Sequence, residues 1–268
     1  MANPMILYEN FFETGTLTSS PGDAAGYPKE NIRDWRASTA YRWKSNATTK
    51  PATITIDYGS AVSPDTACIG GHNLFSANGR WKIQGSTDNF GASIVDMFAS
   101  ATPTSNAPQI ATWNAASYRY WRIYLDSAAA SFTVAPQLGI LTVGRRLDFT
   151  LGAMPGLAPY DETAETQWTE NEGGALIGAN YRFRRKAFSI AYDAPGMADT
   201  DFFTKSGVNY RTGFIPHSRS KPFWFAWNYS SSASELYLCR VDGGHNMPFI
   251  GSTARSGLNV RFVSQADY

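Results

Sequence analysis

Apolar and polar residues alternate one for one through Thr53-Ile54-Thr55-Ile56-Asp57-Tyr58, and the run stops at Gly59. A period of two puts Ile54, Ile56 and Tyr58 on one face of a strand; a helical stripe would repeat every ~3.6 residues. The same pattern returns in Arg80-Trp81-Lys82-Ile83-Gln84 before Gly85, in Tyr118 to Leu125, and in Gly139 to Gly144. Tyr118 to Leu125 carries large side chains on both faces, which suits a strand covered on both sides or placed at an interface. SNATTKP, STDNFG and SATPTSNAP separate these runs and read as turns. Aromatic residues reach 14%, with 23 Gly and 14 Pro and no long Ala/Leu/Glu/Lys tracts, so the expected fold class is all-β.

The chain has 268 residues, enough for two domains, and the pattern resets after Gly144. The expected division is 1–143, a strand sandwich, and 144–268, a β-rich domain with one short helix. In the second domain Leu147, Phe149 and Leu151 alternate, and Ala153 to Gly174 reads as an acidic loop. Tyr181 and Phe183 sit at odd positions, whereas Phe188, Ile190 and Tyr192 sit at even ones. A strand that keeps one buried face must absorb this parity change, so a bulge is expected near Arg185. Pro195 to Gly207 is the helix candidate, with Asp199 and Asp201 early, Lys205 late and a terminal glycine. Phe223 to Trp227, Leu236 to Val241 and Leu258 to Val263 read as strands.

Charge and motif content exclude several functions. Lys and Arg number 23 against 22 Asp and Glu, so the basic excess of a general nucleic-acid binder is missing. Cys68 and Cys239 lie in apolar strand text and read as buried free thiols. His72, His217 and His245 stand in turn-like text, without the Cys, Asp or Glu spacing of a metal set. His217-Ser218 lacks a nucleophile elbow, no phosphate or dinucleotide loop occurs, and no cofactor is expected. Carboxylates for a glycosidase exist only among Asp161, Glu162, Glu165, Glu170 and Glu172, in text that reads as a loop facing solvent or a partner. No membrane span or signal peptide is evident, which implies synthesis in a cytoplasm. The expectation is a protein without catalytic activity.

In the first domain several segments follow one another in a familiar order. Glu30-Asn31-Ile32-Arg33-Asp34 precedes Thr39 and Tyr41-Arg42-Trp43-Lys44-Ser45. Pro51 to Gly59 and Ile69-Gly70-Gly71-His72-Asn73-Leu74 follow, then Trp81 to Asn89 and Tyr118 to Ile123. Over residues 8 to 143 this resembles the discoidin (coagulation-factor C-type, galactose-binding-like) jelly roll. The resemblance implies loops at one end of the sandwich that hold sugars or lipid head groups. It points to Trp35, Arg36, Tyr41, His72 and Asn73 as a carbohydrate platform, aromatics against a sugar face and polar groups on its hydroxyls. The plainer alternative makes Trp35 and Trp43 core residues and His72-Asn73 a turn. Family members often hold a structural calcium with Asp-Gly-Asp-x-x-Thr. Here Trp35 and Arg36 replace the glycine and the second acid between Asp34 and Thr39, so no metal is expected.

The second domain, with Lys221-Pro222-Phe223-Trp224-Phe225-Ala226-Trp227 after a helix candidate, is similar to the belt domains of tailed-phage distal tail and baseplate proteins. That resemblance implies a virion tail protein in a homo-oligomeric, usually hexameric ring. Its partners would be the tail tube, the hub, receptor-binding proteins and a host surface glycan. The domain order departs from the family, which places the belt first. Two other readings remain: a free-standing carbohydrate-binding or host-adhesion protein, and a glycoside hydrolase with an accessory sugar-binding domain. For a ring, Asp161, Glu162 and Glu165 would face Arg182, Arg184 and Lys186 of a neighbouring copy, since a head-to-tail contact needs two different patches. An ion-pair set within one chain explains the same charges.

Overall fold

The computed structural model describes residues 4–36, 38–149, 162–197, 203–204, 208–230, 235–246, 249–250 and 254–265. Its chain falls into two all-β units. One is Leu7–Arg146; the other takes the C-terminal half from Leu147 together with residues 4–6. Met5 and Ile6 pair antiparallel with Asp148 and Leu147, so the first strand belongs to the sheet of the later residues. A boundary read from local text has no means of placing that strand.

The Leu7–Arg146 unit holds a five-stranded antiparallel sheet, in the order Thr16–Ser20, Ala52–Val62, Tyr118–Ser127, Gly79–Ser86, Val95–Asp96. A three-stranded sheet of Ile140–Gly144, Thr66–Gly70 and Gln109–Thr112 accompanies it, with a short pair of Trp43–Lys44 and Gln137–Leu138. Alternation places the core as expected: Ile54, Ile56, Trp81, Ile83, Trp121, Ile123 and Leu125 are buried in one cluster with Trp43, Ile69 and Leu141. The double loading of Tyr118 to Leu125 has a local explanation. On the outer face the Arg122 guanidinium lies 4.0 Å from the Phe90 ring centre and 5.3 Å from that of Tyr124, while Lys82 covers Tyr124 from 5.0 Å. Cation–π contacts therefore coat the face that the core does not use.

The second unit is built on a nine-stranded sheet, ordered Glu162–Glu170, Leu176–Met197, Ala254–Ser264, Leu236–Val241, Phe223–Ala226, Met5–Leu7, Leu147–Phe149, Phe203–Thr204, with Phe249–Ile250 beside Ala254–Ser264. Phe262 anchors its core, with ring centres of Phe223 and Phe225 at 4.9 and 5.2 Å. Cys68 and Cys239 are buried free thiols.

Three local expectations change. The supposed acidic loop contains a strand, Glu162–Glu170, paired along the start of Leu176–Met197; residues 153–161, Asp161 among them, lie outside the described residues. Both faces of this ribbon are open, so no apolar alternation betrays it, although Thr163, Thr166 and Thr169 favour extended backbone. The bulge lies opposite Glu165/Thr166, where the partner jumps from Phe183 to Tyr181, slightly before Arg185. In the Pro195–Gly207 segment, 195–197 end the long strand, Phe203 and Thr204 pair with Phe149 and Asp148, and the remainder lies outside the described residues. The helical turns fall at Tyr210–Phe214 and Ile215–Ser218. There Asn209 accepts from the Thr212 N–H at 3.0 Å and Pro216 occupies the first turn. Side-chain capping and proline placement fix the start.

Candidate functional site

Three loops of the Leu7–Arg146 unit are tied together by long-range hydrogen bonds. His72 donates from Nε2 to the Ala107 carbonyl at 2.8 Å and accepts the Leu74 N–H on Nδ1 at 3.3 Å. Asn73 donates to the Ala135 carbonyl at 3.0 Å and accepts from the Gln137 N–H at 2.8 Å. Gln137 in turn pairs with Lys44, next to the Tyr41-Arg42-Trp43 segment. Asn106 accepts from the Phe75 N–H at 3.1 Å and donates to Ser76 Oγ at 2.8 Å. The segments around 72–76, 105–107 and 134–137 thus form one rim, which Lys44 joins through Gln137 and Arg42 through its charge near His72.

The expected platform residues separate into two sets. His72 is 2% exposed. Its pKa is pushed down to about 4, first by burial and then by the nearby Arg42 charge, against the opposing Ala107 hydrogen bond. His72 is buried and Asn73 half-buried, and both brace the loops through these hydrogen bonds. Trp35 is also buried, at a left-handed φ of 61°, with its indole N–H donated to Glu13. Trp43 is fully buried and donates to Asp23 at 2.8 Å. Arg36 and Tyr41 remain at the surface: the guanidinium stands 4.7 Å from the centre of a ring that is 45% exposed. Arg36 also pairs with Asp34 at 3.4 Å, so a cationic side chain takes the position where the family's calcium loop has an acid. Among the described residues no group of three or more His, Cys, Asp or Glu is placed to hold a metal ion.

Two rim residues escape sequence reasoning. Phe75 is 55% exposed at the top of its loop. Arg42 is half-buried, and its Nε has no hydrogen-bond partner. Alternation carries no signal for Arg42, because Thr39–Tyr41 is a helical turn and only Trp43, the first strand residue, enters the core. Phe75 has none either, since its exposure follows from bonds to a loop 31 residues away. The rim therefore offers two exposed rings and two guanidinium groups. Rings stack on the apolar face of a pyranose, and guanidinium groups donate to hydroxyls or a carboxylate.

The second unit brings a serine and a histidine together at a place the sequence does not indicate. Ser218 Oγ is 3.0 Å from His245 Nε2, and Tyr210 OH is 2.8 Å from His245 Nδ1. Ser218 already gives its proton to the Ile215 carbonyl at 3.0 Å, so His245 donates to Oγ from Nε2 and accepts from Tyr210. That tautomer is the reverse of what a general base needs. His217 is engaged with the Pro222 carbonyl at 2.8 Å. Of the carboxylates considered for hydrolysis, Glu165 pairs with Arg182 at 3.3 Å and Glu162 with Arg184 at 3.5 Å. Lys186 hydrogen-bonds Tyr237 OH at 2.9 Å. Of the charges assigned to a neighbour's interface, Glu162, Glu165, Arg182 and Arg184 thus have ion-pair partners within the chain, and Asp161 lies outside the described residues.

No protein-family model and no curated protein matches the sequence. Among solved structures, chitosan-binding module 1 of a Paenibacillus sp. IK-5 chitosanase/glucanase aligns at 20% identity and a TM-score of 0.41, over 50% of this chain and 98% of that one. Module 2 of the same enzyme, solved with chitotriose, aligns at 23% identity and 0.41, over 50% and 99%. A Clostridium perfringens CBM32 module in complex with GalNAc-β-1,3-galactose aligns at 11% identity and 0.38, over 48% and 94%. These three, each similar to about half of this chain, are carbohydrate-binding modules, and a Ruminococcus gnavus GH29 fucosidase aligns over 51% of this chain and 26% of that one, at 16% identity and a TM-score of 0.41.

Proposed function

We propose that the Leu7–Arg146 unit is a glycan-binding module and that the protein acts by binding, without catalysis. The observation that carries this reading is the rim itself, with Tyr41 under Arg36 and exposed Phe75. A pyranose laid on Tyr41 and Phe75 receives hydrogen bonds from Arg36 and Arg42. Trp35, His72 and Asn73 support the loops from beneath. On a glycan array, Tyr41→Ala with Phe75→Ala is expected to weaken the strongest signal at least tenfold, or about 1.4 kcal/mol. A blank array for the wild type, or an unchanged signal for the double variant, would remove this function.

A second reading makes the protein a structural component of a tailed-phage or prophage tail tip. There a homo-oligomeric ring would link tail tube, hub and receptor-binding proteins, with the glycan module as an accessory. One observation favours assembly: the Glu162–Glu170 ribbon carries large apolar side chains that nothing among the described residues covers, such as Trp168, 59% exposed. Light scattering of the purified protein, alone and with tail-tube protein, tests it; a monomer under both conditions rejects the ring.

A further inference from the structure

Ribbon pairing sets which side chains share a face. Phe188 and Ile190 point into the core of the second unit. Counting back through the bulge opposite Glu165/Thr166, the continuation of that core face holds Tyr181, Trp168, and the Glu170–Leu176 pair. These are the exposed ones: Tyr181 55%, Trp168 59%, Leu176 60%. Between the core and this strip the same face carries Glu162, Arg184 and Lys186; beyond those charges it ends in an exposed apolar strip, with Glu170 two residues from Trp168. Among the described residues Glu170 has no ion-pair partner.

The opposite face of the same sheet carries a depression of about 300 Å³. Its lining combines apolar Phe183, Ala187 and Val263 with Arg185, Arg240 and Arg261, and includes the carboxylates of Asp242 and of Glu165, the latter paired with Arg182 at 3.3 Å. Arg261 is 3.7 Å from Asp242, so its charge is met. Arg185 lies 4.4 Å from the Phe183 ring centre with a buried Nε that has no partner, and Arg240 has no ion pair among the described residues. An indole with a carboxylate two residues away complements an apolar lining that holds unpaired guanidinium groups. Thr163 and Glu165 of the same ribbon line the depression, but Trp168 and Glu170 project from the opposite face of that strand, so the strip of one chain is unable to turn into its own depression.

We propose that the Trp168–Glu170 face of one ribbon docks on the Arg185–Arg240 depression of a second copy, head to tail. This rests on the assembly reading above and adds the two surfaces that meet. Because the patches differ, each copy has one of each, and contacts propagate into a ring or a filament.

Mixing two variants tests it. Trp168→Asp removes the ribbon surface and leaves the depression; Arg240→Glu does the reverse. Circular dichroism checks that each folds, as both side chains are exposed. The wild type is expected to exceed a dimer in sedimentation, each variant to remain monomeric, and an equal mixture to stop at a one-to-one dimer through its one intact pair. A monomeric wild type overturns both the docking and the assembly reading. A wild type that assembles while either variant assembles equally well, or a mixture without dimers, overturns the docking alone.

Discussion

Acidification from pH 7 to pH 4 will weaken the Leu7–Arg146 unit by about 3 kcal/mol through His72 alone. The folded pKa of about 4 lies below the ordinary 6.5, because burial and the Arg42 charge oppose protonation. The unfolded chain takes up the proton first. Stability is thus full above pH 6.5, falls as the pH drops, and levels off for this group once the folded imidazole also protonates near 4. The carboxylates act in a separate window. Asp88, accepting hydrogen bonds from the Ala92 N–H, Ser86 Oγ and neighbouring N–H groups, titrates at about 2, and Asp23, Asp57 and Asp96 are also lowered. Their contributions are present above the usual carboxylate range and are lost only below it. Urea unfolding with pulsed hydrogen exchange at Tyr118–Ser127 reports this unit directly. His72→Gln should be less stable at pH 7 but nearly flat from 7 to 4. A wild type equally flat over that interval would show that His72 is not the responsible group.

Trp43→Ala will cost about 3–5 kcal/mol in the same assay, the range for emptying a buried aromatic site. The indole is wholly buried and also donates to Asp23, which accepts Ser19 Oγ at 2.6 Å and the Lys29 N–H at 3.3 Å. Burial by itself raises the Asp23 carboxyl; the hydrogen bonds from Ser19, Trp43 and Lys29, with the Lys29 charge, outweigh it and hold the pKa below the usual value. Trp43→Phe keeps most of the packing and removes one donor, so it should fall between wild type and Trp43→Ala. Its acid limb should move to higher pH as Asp23 becomes easier to protonate. If the two variants were equally stable, the hydrogen bond would outweigh the cavity, contrary to this account.

Strands with one buried face were legible because alternation is a direct imprint of burial. Ile54 and Ile56, Trp81 and Ile83, and Trp121, Ile123 and Leu125 all sit where their spacing puts them. The parity change at Tyr181 to Phe188 likewise announced a bulge. The Glu162–Glu170 strand was hidden for the converse reason: a ribbon wet on both sides has no burial to record. His72 and Asn73 illustrate a different limit. Polar residues in turn text suit a ligand and a loop brace equally. The choice was made by carbonyl and N–H partners 35 and 64 residues away, which no local pattern encodes.

The pairing of Met5 and Ile6 with Asp148 and Leu147 has a consequence for modularity. Residues 7–146 leave the other sheet from one strand and return into the strand paired with it, so the Leu7–Arg146 unit is an insertion inside its host. Its two ends are stapled by Arg145 with Glu9 at 2.7 Å and by Asn10 with the Leu141 carbonyl at 3.0 Å. Such an insert can be exchanged for another domain with adjacent termini while the host's strand order stays intact. The reverse cut behaves differently. Expressing 147–268 alone removes a strand that lies between Phe223–Ala226 and Leu147–Phe149, and divides the host sheet in two. During translation the insert is complete long before its host, which gains its last sheet partner only when Ala254–Ser264 emerges.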